Sequence, residues 1–283
     1  VVFGACNKPK KAVPLFTLEK ETGISFNNKV VDGELENSFF FRNYYNGGGV
    51  ALGDINNDGL CDVLLTSNQG ENKLYLNRGD FKFEDITAKS GMQQDSMWST
   101  GVVMADINND GWLDIYVCNS GHMKNGNRRN KLYINNNSSS SQKNNSGNSP
   151  SPEGEGVRRT DEAEGKGGVT FTESAAQYGL DFVAYTTQVS FFDYDLDGDL
   201  DCFVINNSPM PINNLGYENK RDLLESEWPV ADFLKGGGDH LYRNDGLPVS
   251  LPSGGRKGGF VEVTKQTGIH GTLISFGLGV SVG

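Results

Sequence analysis

Nine residues, DYDLDGDLD at 193–201, carry five aspartates. Carboxylates crowded this closely repel one another, and folding them together costs energy unless a cation or a set of donors offsets the repulsion. Two further stretches share the framework, DINNDGLCD at 54–62 and DINNDGWLD at 106–114. Each has an acid at positions 1, 5 and 9, Asp or Asn at position 3 and Gly at position 6. Oxygen ligands on alternate residues suit a hard cation, and calcium takes about six to eight of them at flexible angles. In such a loop the side chains at positions 1, 3 and 5 turn inward, position 7 offers its carbonyl and position 9 closes the shell, while Gly at position 6 permits the sharp turn. The expected ligands of three calcium sites are Asp54, Asn56, Asp58 and Asp62; Asp106, Asn108, Asp110 and Asp114; and Asp193, Asp195, Asp197 and Asp201, with carbonyls from Leu60, Trp112 and Asp199.

Two other readings of the loops compete. An EF-hand needs Glu at position 12 between two helices, whereas that position holds Leu65, Val117 and Val204, each inside a strand-like run. Asx-rich turns without metal form the second alternative. The charge favours the cation. The three loops hold as many acids as the net formal charge of -11, and three divalent ions bring the chain to about -5. The third loop is expected to bind tightest, because Asp195 replaces the Asn of the other two.

The elements that position these loops repeat with them. Apolar segments GVALG, GVVMA and QVSFF precede the loops, and DVLLTSN, DIYVCNS and DCFVINN follow them. Further on come NKLYLNRG at 72, NKLYINNN at 130 and DHLYRNDG at 239, then FKFEDITAKSGM at 81, VTFTESAAQYGL at 169 and FVEVTKQTGI at 260. Each unit therefore holds four strand-like segments, the pattern of a β-propeller blade. Two insertions stretch the spacing. The one at about 135–168 is rich in Ser, Asn, Gly and Pro and is expected to be disordered; that at about 207–238 carries Leu223, Leu224, Trp228 and Phe233 and is expected to fold over the propeller face. LFTLEKETGISF at 15–26 matches a fourth-strand segment, and GLGVSVG at 277–283 matches a first strand. Propellers have about four to eight blades, so three complete blades are expected to be a fragment of a larger ring.

The unit GVALGDINNDGLCDVLLTSN…NKLYLNRGDFKFEDIT resembles the FG-GAP or VCBS-type repeat of integrin α-subunit propellers, and is more similar still to the ASPIC/UnbV and cartilage acidic protein group. The resemblance covers roughly residues 15–283 apart from the insertions. It implies an all-β fold, a seven-bladed propeller with calcium in hairpin loops at the blade periphery. The terminal domain that names the group is not in this sequence, and fold does not fix function.

The remaining sequence narrows the setting. Net charge of -11 without a basic stripe argues against nucleic acid, and no apolar run is long enough for a membrane span. The opening VVFGACNKPKK resembles the end of a bacterial lipoprotein signal, with cleavage before Cys6 and acylation of its sulfur; residues 1–14 then form a signal remnant and tether. Cys61, Cys118 and Cys202 sit in or beside apolar runs and are expected as small buried hydrophobes. GVSVG at 279–283 fits a nucleophile elbow but aligns with GVALG and GVVMA, and RGD at 78–80 reads as turn chemistry. His122, His240 and His270 are isolated. Tyr44, Tyr45, Trp98 and Tyr185 are candidates for ligand contacts, with strand packing as the competing role.

Together these features predict a calcium-binding extracytoplasmic propeller that recognises a protein or glycan, on an outer-membrane or cell-surface lipoprotein anchored only through Cys6. The alternatives are a polysaccharide lyase or hydrolase working on the propeller face, which would need a convergent catalytic cluster that the sequence does not display, or a structural part of an outer-membrane complex.

Overall fold

Short β-branched and aromatic runs flank each acidic loop, and this composition favours paired, half-buried strands over helix. In the computed structural model the first sheet holds β1 (Val50–Gly53), β2 (Asp62–Leu65), β3 (Lys73–Asn77) and β4 (Phe83–Asp85). The second holds β5 (Trp98–Ala105), β6 (Asp114–Ser120), β7 (Lys131–Asn135) and β8 (Phe171–Glu173). The third holds β9 (Thr186–Phe192), β10 (Asp201–Asn206), β11 (His240–Asn244) and β14 (Phe260–Glu262); a small hairpin of β12 (Val249–Ser250) and β13 (Arg256–Lys257) interrupts it. Strands pair antiparallel in chain order within every sheet. The fold is thus all-β, built of four-stranded propeller blades; among the described residues the one α-helix, α1 (Ala175–Tyr178), is a single turn.

The structure describes residues 15–34, 36–92, 97–121, 128–137, 168–208, 223–250 and 256–273. Cys6 with the expected tether at 1–14, the bulk of the 135–168 insertion, GVSVG at 279–283 and His122 lie outside them.

Register is conserved between blades. Gly53 faces Asp62, Ala105 faces Asp114 and Phe192 faces Asp201, so each acidic loop closes the first hairpin of its sheet. Two apolar layers join the sheets. Leu64, Leu74 and Ile86 of the first pack with Val102, Ile115 and Phe171 of the second. Tyr116, Leu132 and Leu180 of the second pack with Val189, Cys202 and Phe260 of the third. The backbone links them too, since Ser90 O accepts from Phe171 N at 2.7 Å. Thr22 O accepts from Phe83 N at the same distance. Residues 15–26, expected as a fourth-strand segment, form no strand; their Thr22–Gly23 turn occupies the place that Ser90–Gly91 holds in the next blade.

One expectation about the cysteines is corrected. Cys118 and Cys202 are buried, but Cys61 is exposed because it ends the acidic loop one residue before β2 enters the sheet. In the described part of the second insertion, Trp228 packs with Leu223 and Val230 against Leu273, and Leu224 bridges to Thr272. This portion packs on the chain that follows β14 and also on the entrance of β9, where Gly236 O accepts from Tyr185 N at 2.9 Å.

Candidate functional site

The three acidic loops have one construction. Asp54 Oδ1 accepts from Asp58 N at 3.0 Å and its Oδ2 from Gly59 N at 2.7 Å. Asp106 does the same with Asp110 N (2.9 Å) and Gly111 N (2.8 Å), and Asp193 with Asp197 N and Gly198 N, both at 3.1 Å. The N–H of position 7 (Leu60, Trp112 and Asp199) donates to the position 5 carboxylate at 2.8, 2.9 and 3.0 Å. Position 6 is glycine with φ of 86°, 87° and 96°, a conformation in which a Cβ is costly. Position 4 is also left-handed, as Asn57, Asn109 and Leu196. Asn tolerates this region and leucine is strained there by roughly 1 kcal/mol.

Position 3 divides the loops. Asn56 Nδ2 donates to Asp58 Oδ2 at 2.8 Å and Asn108 Nδ2 to Asp110 Oδ2 at 2.7 Å, so a side-chain amide stands between acids. In the third loop Asp195 supplies no such donor. Carboxylate oxygens of Asp193, Asp195 and Asp197 lie within 4.8 Å of one another. A calcium ion bonded at about 2.3–2.6 Å spans oxygens up to roughly 5 Å apart, so this donor set fits one hard cation. Asp195 and Asp197 are exposed and Asp193 half-buried, which leaves the cluster open to solvent.

The aspartates at position 9 occupy a different environment. Asp62, Asp114 and Asp201 are each fully buried. One oxygen accepts the N–H of position 2: Ile55 to Asp62 at 3.0 Å, Ile107 to Asp114 at 3.1 Å and Tyr194 to Asp201 at 2.8 Å. The other accepts the N–H of the last residue of the third strand: Asn77 at 2.7 Å, Asn135 at 2.9 Å and Asn244 at 2.8 Å. They clasp each loop to its own blade, and each oxygen keeps a second lone pair. Burial pushes the Asp62 carboxyl up to about 6 and that of Asp114 to about 7, and raises Asp201, against the pull of those backbone donors. A cation in the loop would restore the ionised forms.

The partners Asn77, Asn135 and Asn244 escaped the sequence reading. Their amides return to the position 8 carbonyls of Cys61, Leu113 and Leu200 at 2.9, 3.2 and 3.2 Å. The available signal was the recurrence of Asn after LY in LYLN, LYIN and LYRN. Asn135 also donates to Ile55 O at 2.9 Å, and Asn57 Nδ2 donates to Gly111 O at 3.1 Å, so the first two loops touch.

Other singled-out residues resolve into structural roles. Arg78 of the RGD stretch pairs with Glu84 and Asp80 has φ of 49°, as a turn residue. Tyr44, Tyr185 and Trp98 form an aromatic cluster with Phe41, whereas Tyr45 is exposed and its hydroxyl donates to Asp32. His240 lies between Glu225 and Glu262. No helix among the described residues is long and apolar enough to cross a membrane.

Comparison with known proteins agrees with this construction. Residues 30–117 match the family described as FG-GAP-like repeat, a span containing the first two acidic loops. Over 96 residues the chain is 38% identical to Cartilage acidic protein 1 of Xenopus tropicalis, a match covering 34% of this chain and 14% of that protein. Over 76 residues it is 37% identical to Cartilage acidic protein 1 of Homo sapiens, covering 27% of this chain and 12% of the relative. The chain thus spans a small part of the curated relatives it matches.

Proposed function

We propose that this chain is a calcium-clasped propeller segment that displays a recognition surface for a protein or glycan outside the cytoplasm. The observation that carries this reading is the threefold acidic loop with position 1 and position 9 carboxylates in repeated bonding, together with three carboxylates of the third loop close enough to share one cation. Calcium would bind the side chains of Asp193, Asp195 and Asp197, and the corresponding positions of the first two loops, where Asn56 and Asn108 replace one acid. The ion supplies positive charge that holds the hairpin in one conformation. The rigid blades then present their faces.

Titration calorimetry of the metal-free chain with calcium chloride tests the reading. Three sites are expected, with Asp195→Asn weakening one of them. Absence of binding heat would reduce the loops to metal-free Asx turns, and identical affinities in the variant would overturn the expectation that the third loop binds tightest. In this reading the tether is a lipid on Cys6. Expression in a bacterium with labelled palmitate should label the chain and leave Cys6→Ser unlabelled; equal labelling of both rejects the anchor.

A further inference from the structure

The described residues of VDGELENSFFFRNYYN, at 31–34 and 36–46, form a turn-rich stretch across the strand ends opposite the acidic loops. It is fastened to all three sheets. The N–H of Val31 donates to the Gln69 amide oxygen at 2.7 Å and its carbonyl accepts from the Gln69 amide nitrogen at 3.1 Å; Gln69 follows β2. Phe41 and Tyr44 pack with Trp98, which opens β5, and with Tyr185 just ahead of β9. Asn37 shapes the turn between these anchors. Its amide nitrogen donates to Gly33 O and Glu34 O, its side-chain oxygen accepts from Phe39 N at 3.0 Å, and its carbonyl accepts from Phe41 N at 3.0 Å. Beside the stretch a cavity of about 340 Å³ opens between Asn43, Asn46 and Gln188.

What this anchoring presents to solvent is apolar and acidic at once. Phe39 is 88% exposed and Tyr45 59%, and Val31 and Phe40 are exposed with them. Tyr45 stands edge-on to Tyr44 with ring centroids 5.2 Å apart, and its hydroxyl donates to the Asp32 carboxylate at 2.7 Å. Asp32, Glu34 and Glu36 are exposed and form no ion pair among the described residues. Glu84, Asp85, Asp181 and Asp245, by contrast, each meet a lysine or arginine. Arg42 is the one basic residue of the stretch, against three acids. Scattered apolar side chains on a surface need no explanation, but aromatics gathered on an anchored backbone are the usual core of a protein interface. Val50 and Leu52, also exposed, occupy a different place: they lie on the first sheet itself, where Val102 and Val189 of the later sheets pack against the sheet before them.

The charge selects the partner. Three unpaired carboxylates call for a cation, and arginine fits better than lysine, because its planar guanidinium stacks on an aromatic face while its fork meets a carboxylate. Neutral and acidic glycans offer no such group. We infer that Asp32, Glu36, Phe39, Phe40 and Tyr45 form a docking face for a protein segment that carries arginine among apolar side chains. This inference rests on the recognition surface proposed above and assigns its partner.

The calcium-loaded whole chain, immobilised, is panned against a random-peptide display library, with a glycan array run in parallel. Recovered peptides are expected to pair arginine with apolar residues, and a synthetic copy should bind more weakly as salt is raised. Phe39→Ser should weaken that binding about thirtyfold, the effect of truncating a central aromatic anchor. The double variant Asp32→Asn with Glu36→Gln should weaken it about tenfold at low salt and flatten the salt dependence. All three side chains are exposed, so both variants should melt with the parent. Peptides lacking arginine, or an affinity indifferent to both variants, overturn the docking face. A dimer in sedimentation that Phe39→Ser dissolves makes a second copy the occupant and overturns the assignment of a separate partner. A silent library beside a glycan that binds overturns this inference and leaves the recognition reading standing; silence in both overturns both.

Discussion

At the scale of single residues, the same amino acid has two jobs in one loop. Asp195 stands exposed among like charges, while Asp114 is buried and receives the backbone N–H groups of Ile107 and Asn135. Removing a carboxylate from each place should therefore have opposite signatures. Asp114→Asn turns an amide nitrogen towards a backbone donor and strands at least one buried N–H, a loss of about 2–4 kcal/mol. Urea denaturation should register this loss even in chelator, with calcium absent. Asp195→Asn should leave the chelated protein as stable as the parent, or more so, because it relieves repulsion. If Asp114→Asn matters only when calcium is present, its role is that of a ligand and the clasp assignment fails.

At the scale of elements, the described part of the second insertion is fastened to the third blade by a short polar latch. Glu225 accepts from the backbone N–H groups of Gly236 and Gly238 and faces His240 Nε2 at 3.7 Å, while Glu262 meets His240 Nδ1 at 3.0 Å. Lys235, Lys265 and His270 border the same cleft. Burial by itself would lower the His240 pKa, but the two carboxylates raise it above the ordinary value. Burial would raise Glu225, and His240 with the two N–H donors bring it below the ordinary value instead. A raised histidine contributes stability below its unfolded pKa and loses it as pH climbs through the folded value. A lowered glutamate contributes above its unfolded pKa and loses it as pH falls through the folded value. The latch should be strongest between about 4.5 and 6.5. Hydrogen exchange of residues 223–238 should be slowest in that window, and His240→Gln should speed it and flatten its pH dependence. A profile that is already flat in the parent chain contradicts the latch.

At the scale of the molecule, stability resides between blades as much as within them. Val102 and Val189, at equivalent points of β5 and β9, are 3% and 1% exposed because each lies in an apolar layer shared with the preceding sheet. Val50, their counterpart in β1, is 61% exposed. Val102→Asp places an unpaired charge in an apolar layer and should cost about 3 kcal/mol or more, while Val50→Asp should remain within roughly 0.5 kcal/mol of the parent. Equal midpoints for the two in urea would mean that the blades do not stabilise one another. Acidic loops close one end of the strands, and a cavity opens at the other.

The repeat, its four strands per unit and the hairpin closed by each acidic loop were all legible in the sequence. These features depend on residues within nine positions of one another or on a period of strand-like runs, and local chemistry suffices to read them. The division of the aspartates was not legible. Asp114 becomes a clasp through Asn135, and Asn135 reaches Ile55, 80 residues away. Nor could the sequence distinguish Tyr44 and Tyr185, packed inside an aromatic cluster, from exposed Tyr45, or group Asn43, Asn46 and Gln188 around one cavity. Burial and hydrogen-bond satisfaction are properties of contacts between distant segments. Only the stacking of the blades decides which polar groups are used up in holding the fold and which are left over to bind something else.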